Sequence, residues 1–276
     1  MKLQSRQVEF YQETGYLLIE DYFSSEELSV LAVELPKTID RSSPRVVFES
    51  NGSIRSIFAP HFVNATYERL SRMEKLVIPS EQLIGSSIYL HQYKINTKEA
   101  LKGEWWEWHQ DFPYWNIDDG IERPDMLTVM IYLQDTNYLN GALLLIPGSH
   151  KMGVVRFADK PALVLAGTGA DDHEPEFREH LSSLNADIKF TIDHEILKSI
   201  CLQNGIVTAS GAKGSVLFFH GNVFHASNAN LTPFDRDCVL ITYNSVDNVP
   251  RYNESPRPEF LAGRKYAAIT ALEKEL

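Results

Sequence analysis

His109 and Asp111 stand two residues apart in Trp105-Trp106-Glu107-Trp108-His109-Gln110-Asp111-Phe112. On an extended strand such residues share a face, so an imidazole nitrogen and a carboxylate oxygen can be offered side by side to one metal ion. A second histidine-bearing stretch lies far downstream, Phe219-His220-Gly221-Asn222-Val223-Phe224-His225-Ala226-Ser227. One histidine from it completes two imidazoles and one carboxylate, the facial set that leaves open positions on Fe(II) for oxygen chemistry. Arg236 follows His225 by eleven residues and precedes the apolar run 239–243. A guanidinium there suits a bidentate grip on a carboxylate beside the metal. A chelating 2-oxo acid needs both parts, a metal for its oxo-acid end and a cation for its far carboxylate. His220 competes with His225 for the ligand role, since their odd separation puts them on opposite faces of a straight strand. His225 has the better claim because it sets the distance to Arg236. His220, beside Phe219 at a strand end, reads as a residue behind the ligands or on the surface.

A β scaffold must hold these residues. From Leu83 onward, short apolar runs at 88–95, 127–133, 142–146, 206–209, 215–219 and 239–243 are separated by Gly, Pro and Asn. That pattern indicates a sandwich or jelly roll, not repeated strand–helix units. Ahead of the runs, a helical stretch carries Val8, Phe10 and Tyr11 and stops before Gly15. Ser24 and Glu27 offer a capping box for a helix that bears Leu28, Leu31 and Leu35 and ends at Pro36. Asn51-Gly52 joins the apolar runs 46–48 and 54–58 as a hairpin. A helix is predicted over 65–76, closed by Pro79. The polar segment 157–199 is an insertion and a candidate lid; its His173, His180 and His194 read as solvated. A short helix is expected after Pro256 and Pro258 in the tail. No boundary divides the chain, so 1–276 reads as a single domain.

The 276 residues are 43% hydrophobic, enough to bury a core without disulfides or a structural metal. Two cysteines, Cys201 and Cys238, cannot build a disulfide scaffold or a cysteine-rich zinc site, and both read as packing residues. With 26 basic against 37 acidic residues, the net charge of −11 argues against a nucleic-acid surface or a polybasic membrane patch. No apolar run reaches the roughly 18 residues a membrane span needs. The first residues lack the basic-then-apolar order of a secretory signal. A reducing cytoplasm is the expected compartment.

At these residues the sequence resembles the phytanoyl-CoA dioxygenase superfamily of Fe(II)/2-oxoglutarate-dependent oxygenases, and within it the branch of ectoine hydroxylases and free-leucine hydroxylases. The resemblance spans nearly the whole chain. It is carried by His91-Gln92-Tyr93-Lys94-Ile95-Asn96-Thr97-Lys98, Trp108-His109-Gln110-Asp111-Phe112, Asp119-Gly120, Asn140-Gly141, Ile146-Pro147-Gly148-Ser149-His150, His225-Ala226-Ser227-Asn228, Arg236 and Ile241-Thr242-Tyr243-Asn244. It implies a double-stranded β-helix, a cupin-like jelly roll. It implies His109, Asp111 and His225 as iron ligands, and Arg236 aided by Ser227 for the C5 carboxylate of 2-oxoglutarate. Lys94 and Asn96 would lie near the co-substrate, Gln92 near co-substrate or substrate, and Trp106 and Trp115 would wall the substrate pocket. The chain departs from its relatives after Asp119-Gly120, where they carry Pro-x-Pro-Arg and this sequence has Ile121-Glu122-Arg123-Pro124-Asp125. Arg123 is the candidate to compensate, and substrate identity is what the departure bears on.

The activity implied is hydroxylation of a free small L-amino acid, with a leucine-like side chain first, driven by conversion of 2-oxoglutarate and O2 to succinate and CO2, with ascorbate as reductant in vitro. An intact Asp111 favours hydroxylation over halogenation, which in this superfamily goes with a small residue at that position. Ectoine or a cyclic amino acid such as proline or pipecolate is the alternative substrate. Two readings of other classes remain: a non-oxidative cupin metalloenzyme using zinc or manganese, and a 2-oxoglutarate-binding sensor. Partners are limited to the small-molecule substrate and O2, and the oligomeric state is not legible.

Overall fold

The computed structural model describes residues 2–157, 189–251, 256–273 and 276. Helix α1 (Ser5–Thr14) stops where Gly15 turns left-handed at φ 83°, and strand β1 (Tyr16–Ile19) follows. Helix α2 (Ser25–Glu34) begins on the expected box: Glu27 N donates to Ser24 Oγ and Ser24 N to Glu27 Oε2. The hairpin of β2 (Val46–Phe48) and β3 (Ile54–Phe58) forms as the Asn-Gly pair suggests.

The helix predicted over 65–76 is instead two, α3 (Ala65–Leu70) and α4 (Glu74–Ile84), and Pro79 lies inside the second rather than closing it. A proline in a helix interior withdraws the N–H owed to the carbonyl four residues back, here that of Lys75. The Tyr22 hydroxyl donates to that carbonyl at 2.5 Å, so the orphaned acceptor is satisfied from outside the helix. Gly85, at φ 83°, ends α4.

The remaining strands are β4 (Ile88–Lys98), β5 (Trp106–His109), β6 (Met126–Tyr132), β7 (Leu143–Leu145), β8 (Val207–Thr208), β9 (Val216–His220), β10 (His225–Ser227) and β11 (Arg236–Ser245), with α5 (Phe112–Ile117) after β5 and α6 (His194–Asn204) before β8. They form two antiparallel sheets. One has seven strands in the order β1-β9-β6-β11-β4-β3-β2, the other four in the order β5-β10-β7-β8. Strand alternation gives the large sheet two buried faces. Along β6, Val129 and Ile131 join Leu31, Leu70 and Leu76 of the helices, while Met130 and Tyr132 join Leu143, Leu145 and Val223 on the side of the small sheet. Both faces being covered, β6 is apolar almost throughout instead of alternating. This is the expected jelly roll with flanking helices.

Among the described residues no helix is long and apolar enough to cross a membrane. Most of the candidate lid, with His173 and His180, lies outside the described residues. Its described ends are pinned: Phe157 bridges Ile192, Thr191 bridges His109, and the Phe190 ring packs 4.8 Å from that of Tyr114. His194 is exposed, as expected. The tail departs from expectation, since residues 256–273 hold turns and a parallel bridge from Leu272 to Met73 but no helix.

Candidate active site

The two sheets bring the chemistry-bearing residues together at one end of the roll. On the small sheet, His225 of β10 and His109 of β5 are direct cross-strand partners, with ring centroids 4.1 Å apart. Asp111 is not on the strand, as its i+2 spacing suggested; β5 ends at His109, and Asp111 is the residue that begins α5. Pro113 favours a helix start there, Phe112 N donates to Gly221 O at 2.9 Å, and the Gln110 amide bonds the carbonyls of Gly153 and Asn222 at 2.7 and 2.9 Å. The turn so held places Asp111 Oδ1 3.7 Å from His109 Nε2 and 3.8 Å from His225 Nε2. The three donor atoms lie within 4.8 Å of one another.

Each imidazole is oriented by its other nitrogen. His109 Nδ1 sits 2.6 Å from Glu107 O and His225 Nδ1 3.0 Å from Val223 O. A carbonyl only accepts, so Nδ1 carries the proton and Nε2 keeps its lone pair for a metal. Burial, and then the neighbouring His225, push His109 down to about 3, which keeps it a neutral ligand.

Beside the triad a cavity is lined by Lys94, Asn96, Lys98, Trp106, Ser227 and Arg236. Arg236 is 2% exposed. Its guanidinium donates through Nε to Asn140 O, through Nη2 to Gly141 O and through Nη1 to Cys238 Sγ. A guanidinium has five N–H donors, so one remains on each Nη. Ser227 Oγ is buried without a hydrogen-bond partner among the described residues. Lys94 has no hydrogen bond or ion pair among the described residues; burial lowers its pKa and Asp111 opposes that shift. Unspent donors and positive charge beside two imidazoles and one carboxylate fit an anionic chelator next to Fe(II).

Residues 11–238 match the phytanoyl-CoA dioxygenase family. The chain belongs to that family. It is 32% identical over 280 residues to the ectoine dioxygenase of Bordetella bronchiseptica, covering 98% of this chain and 86% of the relative. It is 30% identical to the L-proline trans-4-hydroxylase of Streptomyces griseoviridis, covering 96% of this chain and 94% of that one. Among solved structures, EctD from S. alaskensis with 2-oxoglutarate and 5-hydroxyectoine superposes with a TM-score of 0.80 at 30% identity, covering 98% of this chain and 87% of that one. The chain is a non-haem iron, 2-oxoglutarate-dependent dioxygenase, which sets aside the non-oxidative and sensor readings.

In this phytanoyl-CoA dioxygenase relative, His109, Asp111 and His225 are the residues that would hold Fe(II). Bound there, iron and 2-oxoglutarate supply O2 activation coupled to decarboxylation, giving succinate, CO2 and a hydroxylated substrate. The protein orients the reactants and excludes water. Asn96 Oδ1 accepts from Ser56 Oγ at 2.7 Å, which holds its amide at the cavity wall.

Three residues expected near substrate or co-substrate sit elsewhere. Gln92 donates to Leu261 O at 2.8 Å, tying β4 to the tail. Trp115 is buried against His91 with centroids 5.9 Å apart, in a cluster with Phe112, Ile121 and Met126, and does not line the cavity. Arg123 stands outside the cavity lining: it is exposed, its Nε 2.6 Å from Asp125 Oδ2. Arg123 and Asp125 thus pair with each other at the surface. His220 stays behind the triad, its Nδ1 accepting from Asn222 N at 3.0 Å.

Two features were not read from the sequence. Lys98, 2% exposed, donates to Glu104 O and Asn228 O and so joins the approaches to β5 and β11. Arg257 of the tail grips Asp119 through Nε at 2.6 Å and Nη2 at 2.5 Å, and His91 Nε2 lies 3.1 Å from the same carboxylate. Burial pushes the Asp119 carboxyl up, but Arg257 and His91 together outweigh it and hold it below its ordinary value. No spacing links Arg257 to Asp119.

Gly141 shows how tightly the anion end is built. Its φ is 86°, and an added Cβ would stand 2.6 Å from both Asn228 O and Lys98 Cδ. Gly141→Ala is expected to cost about 2 kcal/mol or more through strain and overpacking, read as a lowered thermal midpoint. The KM for 2-oxoglutarate should rise with it, since the Gly141 carbonyl holds Arg236.

Proposed function

We propose that this dioxygenase hydroxylates a small cyclic amino acid of the proline or ectoine kind. The observation that carries the proposal is a pair of separate cations in one cavity. Arg236 with Ser227 serves the far carboxylate of 2-oxoglutarate. Lys94, on the Asp111 side, serves the carboxylate of the substrate, and Trp106 with its ring 6.2 Å from that of His109 gives an apolar wall. The relatives named for ectoine and L-proline support a ring over the leucine-like side chain that the sequence put first.

The test is succinate release with Fe(II), ascorbate, 2-oxoglutarate and O2 over L-proline, L-pipecolate, ectoine and L-leucine, each positive checked by mass spectrometry for one added oxygen. Turnover is expected with a ring substrate in excess of leucine. Preference for leucine would return the acyclic reading, and no turnover above the substrate-free background would end the free-amino-acid proposal.

A further inference from the structure

Trp106 is braced from behind by a buried ion pair. Arg55 on β3 and Glu49 at the hairpin turn are 1% and 2% exposed, with Nη1 to Oε2 at 2.5 Å. The Arg55 guanidinium carbon lies 3.5 Å from the centroid of the Trp106 ring, and its Nη2 donates to the carbonyl of Trp105 at 3.4 Å. Glu49 in turn accepts from Glu104 N at 3.3 Å, while Asn51 Nδ2 donates to Lys102 O at 3.0 Å. The hairpin turn is thus docked on the segment that leads into β5, and Arg55 is the point at which it touches the active-site wall.

We infer that Arg55, held by Glu49, is a positioning residue for Trp106 and through it sets how well 2-oxoglutarate consumption is coupled to hydroxylation. A planar guanidinium on an indole face is a directional contact that a lysine ammonium does not reproduce. Trp106 lines the cavity beside His109, so a ring free to tilt lets the substrate's target carbon drift while 2-oxoglutarate is still consumed. A misplacement of about 1 Å is enough to lose on the order of a hundredfold in a positioned reaction. The inference rests on the dioxygenase activity alone, not on the identity of the amino acid.

The experiment compares wild type, Arg55→Lys, Glu49→Gln, Trp106→Phe and the double variant R55K/W106F. The first readout is the indole N–H spectrum of tryptophan-labelled protein with 2-oxoglutarate, the Trp106 signal being the one absent in W106F. R55K is expected to shift and broaden that signal and to leave those of Trp108 and Trp115 in place. It needs no amino-acid substrate, so it stands even if the proline-or-ectoine reading fails. The second readout is succinate released per hydroxylated product with whichever amino acid the wild type turns over best, where R55K should raise the ratio on the order of tenfold with the KM for 2-oxoglutarate little changed. The double variant should be no worse than W106F. Should R55K fail to fold, E49Q, which keeps a hydrogen bond but removes the charge, reads the same signal. A Trp106 signal unmoved in a folded R55K or E49Q, or R55K and W106F effects that multiply, overturns the inference.

Discussion

Asp111→Gly is expected to abolish hydroxylation while leaving the fold in place. Asp111 begins α5, yet its carboxylate makes no capping hydrogen bond, and glycine is well tolerated at a helix start, costing only a few tenths of a kcal/mol. The carboxylate is therefore spent on the cavity and not on the helix. Its Oδ1 lies within 4 Å of Nε2 on both histidines. Changing even an outer partner of a metal ligand costs about 10–100-fold in affinity or activity, so removing a ligand should exceed that in Fe(II) affinity and in hydroxylated product. Anaerobic Fe(II) titration reads the first and mass spectrometry the second, with the thermal midpoint confirming the fold. Hydroxylation at the wild-type rate would take Asp111 out of the ligand set.

Arg236→Met should raise the KM for 2-oxoglutarate on the order of a hundredfold or more, given two charge-assisted hydrogen bonds of about 1.5–3 kcal/mol each. The two N–H groups not engaged by Asn140, Gly141 and Cys238 are what the co-substrate loses. The variant also strands two carbonyls that Arg236 now satisfies, so a lower thermal midpoint accompanies the binding defect. Arg236→Lys separates the two effects: it restores charge without the planar fork and should fall between wild type and Met. A folded R236M with an unchanged KM would move the far carboxylate to Lys94 or Lys98, the lysines of the same cavity.

The large sheet was legible because its strands are long and apolar. The run 88–95 lies within β4, and 127–133 overlaps β6 residue for residue but for its ends. The small sheet was only partly legible: β7 and β8 fall within the runs 142–146 and 206–209, whereas β10 is three residues, too short for any periodicity, and pairing rather than composition makes it a strand. His109, Asp111 and His225 converge because their spacing and flanking residues carry a local signature. Trp115 and Arg123 went astray for another reason. A half-turn of helix decides whether an aromatic faces a cavity or a core, and Asp125 stands two residues from Arg123 and captures it. Arg257 depends on a tertiary contact with Asp119 that no local pattern announces. Pro79 misled because the carbonyl its missing N–H would have met is taken by Tyr22, which removes one of the two costs of a proline inside a helix.

His109 and His225 face each other across β5 and β10, so the gap between the imidazoles belongs to a backbone ladder and not to any loop. Segments joining the strands of that sheet can be lengthened at small expense, about 0.6 kcal/mol per doubling, with the gap unaltered. Two of the three ligand positions are in this way written in strand register, and the connections around that sheet can change length without moving them.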